Sequence, residues 1–173
     1  MLTKERFSES QHFKQTWLWI LLTGIDALFI YAAIKQVFFG QSFGDKPMSN
    51  PQLIVVVSLL LLLTLFFMFL RLDTVIQDDG IYYRFLPFQW TFQKIPWNRI
   101  LKASVRQYKP VKEYGGWGFR IGLFGKGRAF NVSGNKGRQL IYDNGKKFLL
   151  GTQRPQEIEQ ILKRLGRLTT DEE

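Results

Sequence analysis

The chain has no cysteine among its 173 residues and a single histidine, His12. Without thiols there is no disulfide framework, no thiolate metal site and no cysteine nucleophile. One imidazole, placed before the first apolar segment, cannot supply a histidine metal cluster or a Ser-His-Asp triad. Phosphate-gripping loops are missing as well. A Walker loop needs Gly-x4-Gly-Lys-Ser/Thr, but Gly125-Lys126 is followed by Gly127, and the position five before Gly125 is Arg120. The dinucleotide pattern G-x-G-x-x-G fails twice, since Gly116-x-Gly118 leads to Ile121 and Gly125-x-Gly127 to Phe130. The stretch "YGGWGFR" (114–120) therefore reads as a tight turn that delivers Trp117 to a core. Asp73, Glu113 and Asp143 are scattered, and Asp78 and Asp79 read as a turn. No catalytic constellation forms, so a non-enzymatic chain without metal, cofactor or small-molecule substrate is expected.

What the sequence does have is positive charge and two long apolar runs. The formal net charge is +10, and residues 71–173 hold 19 Lys/Arg against 10 Asp/Glu. Within 99–147 the count is 12 basic to 2 acidic. A field of that sign favours anionic lipid, nucleic acid or an acidic partner.

"WLWILLTGIDALFIYAAIKQVFF" (17–39) and "QLIVVVSLLLLLTLFFMFL" (52–70) contain almost no strongly polar residues. At about 1.5 Å of rise per residue, each is long enough for a hydrocarbon core of roughly 30 Å. The first exceeds a typical signal-peptide apolar region and lacks a small-x-small cleavage site before "GQSFGDKPMSN", so it is expected to remain as a span. The organisation predicted is a tail (1–16), a transmembrane helical hairpin (17–70, with its loop at 40–51), a β domain (71–168) and a short tail (169–173). Lys4, Arg6 and Lys14 precede the first span and Arg71 follows the second. The positive-inside rule then places both termini in the cytoplasm and the protein in the inner membrane. Trp17 and Trp19 suit the interface belt. Asp26 lies about 14 Å along the first helix from Trp17, near the midplane. Intramembrane acids serve as relays or ion ligands. The plainer expectation is a carboxyl bonded to Thr23, to Ser58 or Thr64 across the hairpin, or to a second copy.

After Leu72 the period shortens. "IYYRFLPF" (81–88) follows the turn pair Asp79-Gly80, and "LKASVRQY" (101–108) alternates. In the second, Leu101, Ala103 and Val105 are expected inside, with Lys102, Ser104 and Arg106 outside. "WGFRI" sets Trp117, Phe119 and Ile121 on one face. "RQLIYDNGKKFLLGT" (138–152) reads as a hairpin with its turn at Asp143-Asn144-Gly145. A last helix is predicted over 155–167, with Pro155 at its first position and an apolar stripe of Ile158, Ile161, Leu162 and Leu165. Many short strands and one helix suggest a small barrel or sandwich.

The order of these pieces resembles small bacterial membrane proteins that carry a bacterial pleckstrin-homology-like domain. The matching stretches are "DDGIYYRF", "IPWNRI" (95–100), "GGWGFR" and "LIYDNGKKFLLGTQRP" with the terminal helix, over about residues 72–167. The resemblance implies a seven-stranded, strongly bent antiparallel sheet or barrel capped by the C-terminal helix. Phosphoinositide-reading relatives would carry clustered bases between the first two strands. Here that region is the acidic "VIQDDGIYY", so the resemblance implies no inositol-lipid site there.

The functional expectation is a membrane-tethered scaffold that binds a protein partner or a second copy. Lys102, Arg106, Lys109, Lys112, Arg120, Lys126, Arg128, Lys136 and Arg138 are the candidate contacts to anionic lipid or partner, at about 1 kcal/mol for each base near the surface. A nucleic-acid binder using Tyr108, Tyr114 and Trp117 is less compatible with a tethered module. A transport or enzyme subunit built on Asp26 would need oligomers.

Overall fold

A computed structural model describes residues 5–122 and 126–169. Gly125, Lys4 and the end of the C-terminal tail, all invoked above, lie outside the described residues. The chain divides into two units: an apolar helical unit, 14–69, and a mainly-β unit formed by 1–13 together with 70–173.

The helical unit consists of α1 (Thr16–Ala33), continued by a π-helical turn at Ile34–Phe38, and α2 (Asn50–Phe69). Both helices are long and apolar enough to cross a membrane. Only Leu22, Ala32 and Leu53 are buried within them. Most of their leucine and isoleucine surface is therefore bare, which a solvent of hydrocarbon would accept and water would not. The start of α2 is fixed by Ser49 and Gln52, in the spacing of a capping box. Gln52 Oε1 accepts from the Ser49 backbone N–H at 3.1 Å and from its hydroxyl at 2.9 Å. Gln36 pins the connecting loop, donating to Met48 O and Asn50 Oδ1.

The β-rich unit has two sheets. Sheet A contains β1 (Glu5–His12), β2 (Arg71–Gln77), β3 (Gly80–Leu86) and β4 (Gln93–Pro96), in that order. Sheet B contains β5 (Ile100–Gln107), β6 (Gly118–Ile121), β7 (Arg128–Asn131), β8 (Lys136–Tyr142) and β9 (Lys147–Gly151), ordered β5-β8-β9-β7-β6. A short helix α3 (Pro110–Tyr114) follows β5, and α4 (Pro155–Arg164) closes the unit.

Three expectations are corrected here. The described residues form nine strands in two sheets with no closed barrel, and β7 pairs with β9 in parallel, so the seven-stranded antiparallel barrel is not what forms. Residues 5–12, expected as a tail, are an edge strand registered against β2 from Glu5↔Gln77 to His12↔Arg71. The inward residues of β1 are Phe7, Glu9 and Gln11. The two polar ones bond to the end of β9 and the residues just after it, although Gln11 Oε1 has no hydrogen-bond partner among the described residues. Gln11 Nε2 donates to Gly151 O at 2.8 Å, and Glu9 accepts from Thr152 Oγ1 and Gln153 N, each at 2.8 Å. Finally, β5 does not keep strict alternation. Its register against β8 shifts between Ile100 and Lys102, and Leu101 is exposed. An irregularity of this kind re-aims one side chain.

Helix α4 ends earlier than its apolar stripe suggests. Gly166 takes φ 63°, Arg167 N donates to Leu162 O and Gly166 N to Lys163 O, which is a Schellman stop. The chain then runs along β5, with Thr169 N donating to Ala103 O at 2.8 Å, and so covers an otherwise open sheet edge. Ile158, Ile161 and Leu162 are buried, each contributing about 1.5–3 kcal/mol by burial. The helix packs on β1, β5 and β8.

Candidate functional site: a basic-rimmed aromatic groove

The largest groove described in the β-rich unit opens between β3 of sheet A and β7 and β9 of sheet B, with a volume of about 630 Å³. Its floor is aromatic because the two sheets meet through ring contacts. Phe130 on β7 lies 5.4 Å from Tyr83, 5.1 Å from Phe148 and 4.8 Å from Phe119 between ring centroids. Tyr142 stacks on Phe148 at 6.5 Å. Such pairs add about 0.5–1.5 kcal/mol each beyond their area.

The rim is cationic. Arg128, Lys146 and Lys147 line the groove and are exposed, and no carboxylate lines it among the described residues. None of the three makes an ion pair within the described residues. Lys146 is carried by the β8–β9 turn, Lys147 opens β9 and Arg128 opens β7. The rim closes up at Gly127, which has φ 81° and no room for a Cβ against Lys147 O. A side chain there would force β7 away from β9. Burial pushes the Tyr142 phenol up to about 12, with Tyr83 adding to it, and burial also raises Tyr83. Both remain neutral hydroxyls at physiological pH. The arrangement can hold an apolar or aromatic group on its floor and a negative charge at its rim.

The nine expected basic contacts do not share one face. Registers put Arg106, Lys136 and the α3 bases Lys109 and Lys112 toward the Gln107↔Lys136 end of sheet B. They put Lys102 and Arg128 toward the Tyr142 and Lys147 end, while Lys126, which is in no strand, accepts from the Tyr114 hydroxyl of α3 through its carbonyl. Arg106 is committed internally, with Nη2 2.8 Å from Glu113 Oε2. Arg120 Nε donates to Trp117 O at 2.9 Å. Of the nine, Arg128 lines the groove.

Arg138 is a correction. It is 0% exposed, and its three guanidinium nitrogens have no hydrogen-bond partner among the described residues. Its Cζ lies 5.8 Å from the Phe7 ring centroid. Burial pulls its pKa down to about 10, opposed by the Glu9 carboxylate. It touches no surface and cannot meet lipid. The outward expectation assumed one solvated face for β8, but four successive residues from Gly137 to Leu140 are buried. "GWGFR" is corrected too. Trp117 is half-buried, with Nε1 donating to Gly134 O at 2.9 Å, while Phe119 and Ile121 are exposed because β6 is an edge strand.

In the helical unit, Thr64 Oγ1 donates to Asp26 Oδ2 at 2.8 Å. The two other hydroxyls in question bond within their own helices, Thr23 to Trp19 O and Ser58 to Ile54 O.

Sequence reasoning passed over Lys146, Lys147 and the floor residues. "NGKK" after a turn was a usable signal for the rim. The floor had none, since its rings come from five separated strand positions. No family model matches the chain, and no curated protein matches it.

Proposed function

We propose that this chain is a non-catalytic binding module tethered to the inner membrane, its hairpin spanning the bilayer and its PH-like β-rich unit in the cytoplasm. In this reading the groove receives a segment of a protein partner that carries apolar or aromatic side chains and carboxylates. The observation that carries it is the groove itself: an aromatic floor beside Arg128, Lys146 and Lys147, with no acid among the described lining residues. Aromatic pockets desolvate an anchor residue, and unpaired rim charges steer an acidic one. The terminal helix and the mainly-β character support the PH-like assignment in coarse outline.

The pairing of β1 with β2 supports the topology independently of charge counting. His12 and Arg71 flank the hairpin and belong to one sheet, which supports the reading that its two ends share one side of the membrane. The basic flanks support the cytoplasm as that side. Asp26 has a structural role in this reading, as the acceptor of the Thr64 hydroxyl.

The test uses full-length protein in nanodiscs and two labelled peptides, one combining Phe with Asp and Glu, the other Phe with Lys. The acidic peptide is expected to bind and to weaken as salt rises. Arg128→Glu with Lys147→Glu should reduce its affinity by roughly tenfold or more. Equal binding of both peptides, or indifference to the double charge reversal, rejects the groove as the docking site.

A further inference from the structure

The loop joining β3 to β4, "PFQWTF" (87–92), carries three exposed aromatic residues. Trp90 is 75% exposed, Phe88 60% and Phe92 41%. No charged residue lies between Arg84 and Lys94, and no acid lies anywhere in 80–112. A bare indole between two exposed rings is a poor surface to leave in water. Two contacts hold the base of the loop. Phe88 stacks on Phe85 at 5.9 Å, and the Arg84 guanidinium lies 4.6 Å over the Phe92 ring while Arg84 Nε donates to Asp73 at 2.7 Å. Trp90 is the tip.

The registers say where this loop leaves the sheet. Leu86, the last residue of β3, is paired with Arg71, and Arg71 with His12. The loop therefore springs from the row of strand ends through which the chain enters and leaves the hairpin. Neighbouring strands are about 4.8 Å apart, and Arg71 is two residues beyond the last residue of α2, at most about 7 Å of chain. Covalent length alone keeps Leu86, from which the loop starts, within about 12 Å of the end of an apolar helix, so a six-residue loop can reach back to a headgroup layer about 5–8 Å deep on each side. At that level Trp and other aromatic rings are favoured, and the absence of acid removes repulsion from anionic headgroups.

We propose that Pro87–Phe92 is an interfacial membrane anchor, with Trp90 and the rings of Phe88 and Phe92 bedded at the headgroup–acyl boundary so that they hold the β-rich unit against the bilayer. The proposal rests on the hairpin crossing the membrane and is independent of what occupies the groove.

The absence of cysteine lets one introduced thiol carry a nitroxide. Thr91→Cys reports on the loop, whose own aromatic residues stay intact. Leu62→Cys reports on the exposed middle of α2. Lys163→Cys on α4 is the aqueous control. Arg164 there shares a cleft with Arg6, which is paired to Asp78 at the opposite end of sheet A. Each labelled full-length protein is placed in nanodiscs of phosphatidylcholine and phosphatidylglycerol. Collisions with oxygen, which prefers lipid, are compared with collisions with a water-soluble nickel complex. The expected result is a lipid-like ratio at 62, an intermediate ratio at 91 and a water-like ratio at 163, with Trp90→Ser moving position 91 several-fold toward the control.

A water-like 91 beside a lipid-like 62 overturns the anchor and leaves the hairpin standing. A water-like 62 overturns the hairpin reading and the anchor with it. A label at 91 shielded from both reagents means that protein covers the loop, and this also overturns the anchor. So does a ratio at 91 that Trp90→Ser leaves unchanged.

Discussion

His12 and Arg71 are partners across an antiparallel pair, although the whole apolar hairpin lies between them in sequence. The β-rich unit is therefore built from both sides of an insertion, and its first strand is not an accessory. Phe7 and Phe13 are buried in it.

The consequence is testable by excision. Strand ends about 4.8 Å apart can be joined by a two-residue Asn-Gly turn. A chain running 1–13, Asn-Gly, 70–173 is expected to be soluble and to unfold cooperatively. A fragment starting at Leu70 loses Phe7 and Phe13, at about 1.5–3 kcal/mol each, and leaves the edge of β2 open. It should aggregate or melt far lower, as read by circular dichroism and size exclusion. Equal melting of the two would show that β1 is dispensable.

A second prediction concerns the buried charges. Arg138 and Glu9 sense one another electrostatically, and among the described residues they form no contact ion pair and the Arg138 guanidinium has no hydrogen-bond partner. Losing either charge strands the other, so Arg138→Met and Glu9→Gln should each destabilise. The double variant should recover part of the loss, with a coupling of about 1–3 kcal/mol in a denaturant cycle. Additive losses would mean that the two do not sense each other.

Asp73 supplies the pH dependence. Burial pushes its carboxyl up, but hydrogen bonds from Ser10 and Arg84 and the nearby Arg71 charge outweigh that and hold it below its ordinary value. A depressed folded-state value means that stabilisation is complete above the unfolded value near 3.9 and disappears as pH falls through the lower folded one. Asp73→Asn should therefore cost about 1.5–3 kcal/mol at pH 7, the range for hydrogen bonds to a charged group. The gap between variant and parent should narrow as pH falls below the unfolded value and close once it is below the depressed folded one. Melting curves of full-length protein in mild detergent across this range provide the check. A gap that persists in acid would mean that the side chain acts through shape alone.

How much of this was legible depended on whether burial followed hydrophobicity. The two apolar helices were readable from their length and the near absence of charge. The β8–β9 hairpin was readable from Asp143-Asn144-Gly145, whose turn is where expected. Strand β1 was not, because Glu9 and Gln11 point inward and are matched by Thr152, Gln153 and Gly151, partners more than a hundred residues away. Arg138 and Leu101 were misplaced for a related reason. Alternation predicts an outer face only where one side of a strand is wet and its register is unbroken. The groove needed the parallel β7–β9 pair, a long-range arrangement that no local pattern announces.

The joining of β1 to β2 also orders events during synthesis. The first strand leaves the ribosome long before its partner exists, with Phe7 waiting in water until the second helix has been made. If each helix crosses once, sheet A can gain its edge only when the returning chain emerges on the side where it departed. A hairpin whose ends emerged on opposite sides would leave that edge unpaired, so the sheet ties the fold of the β-rich unit to how the apolar segment between its first two strands is placed.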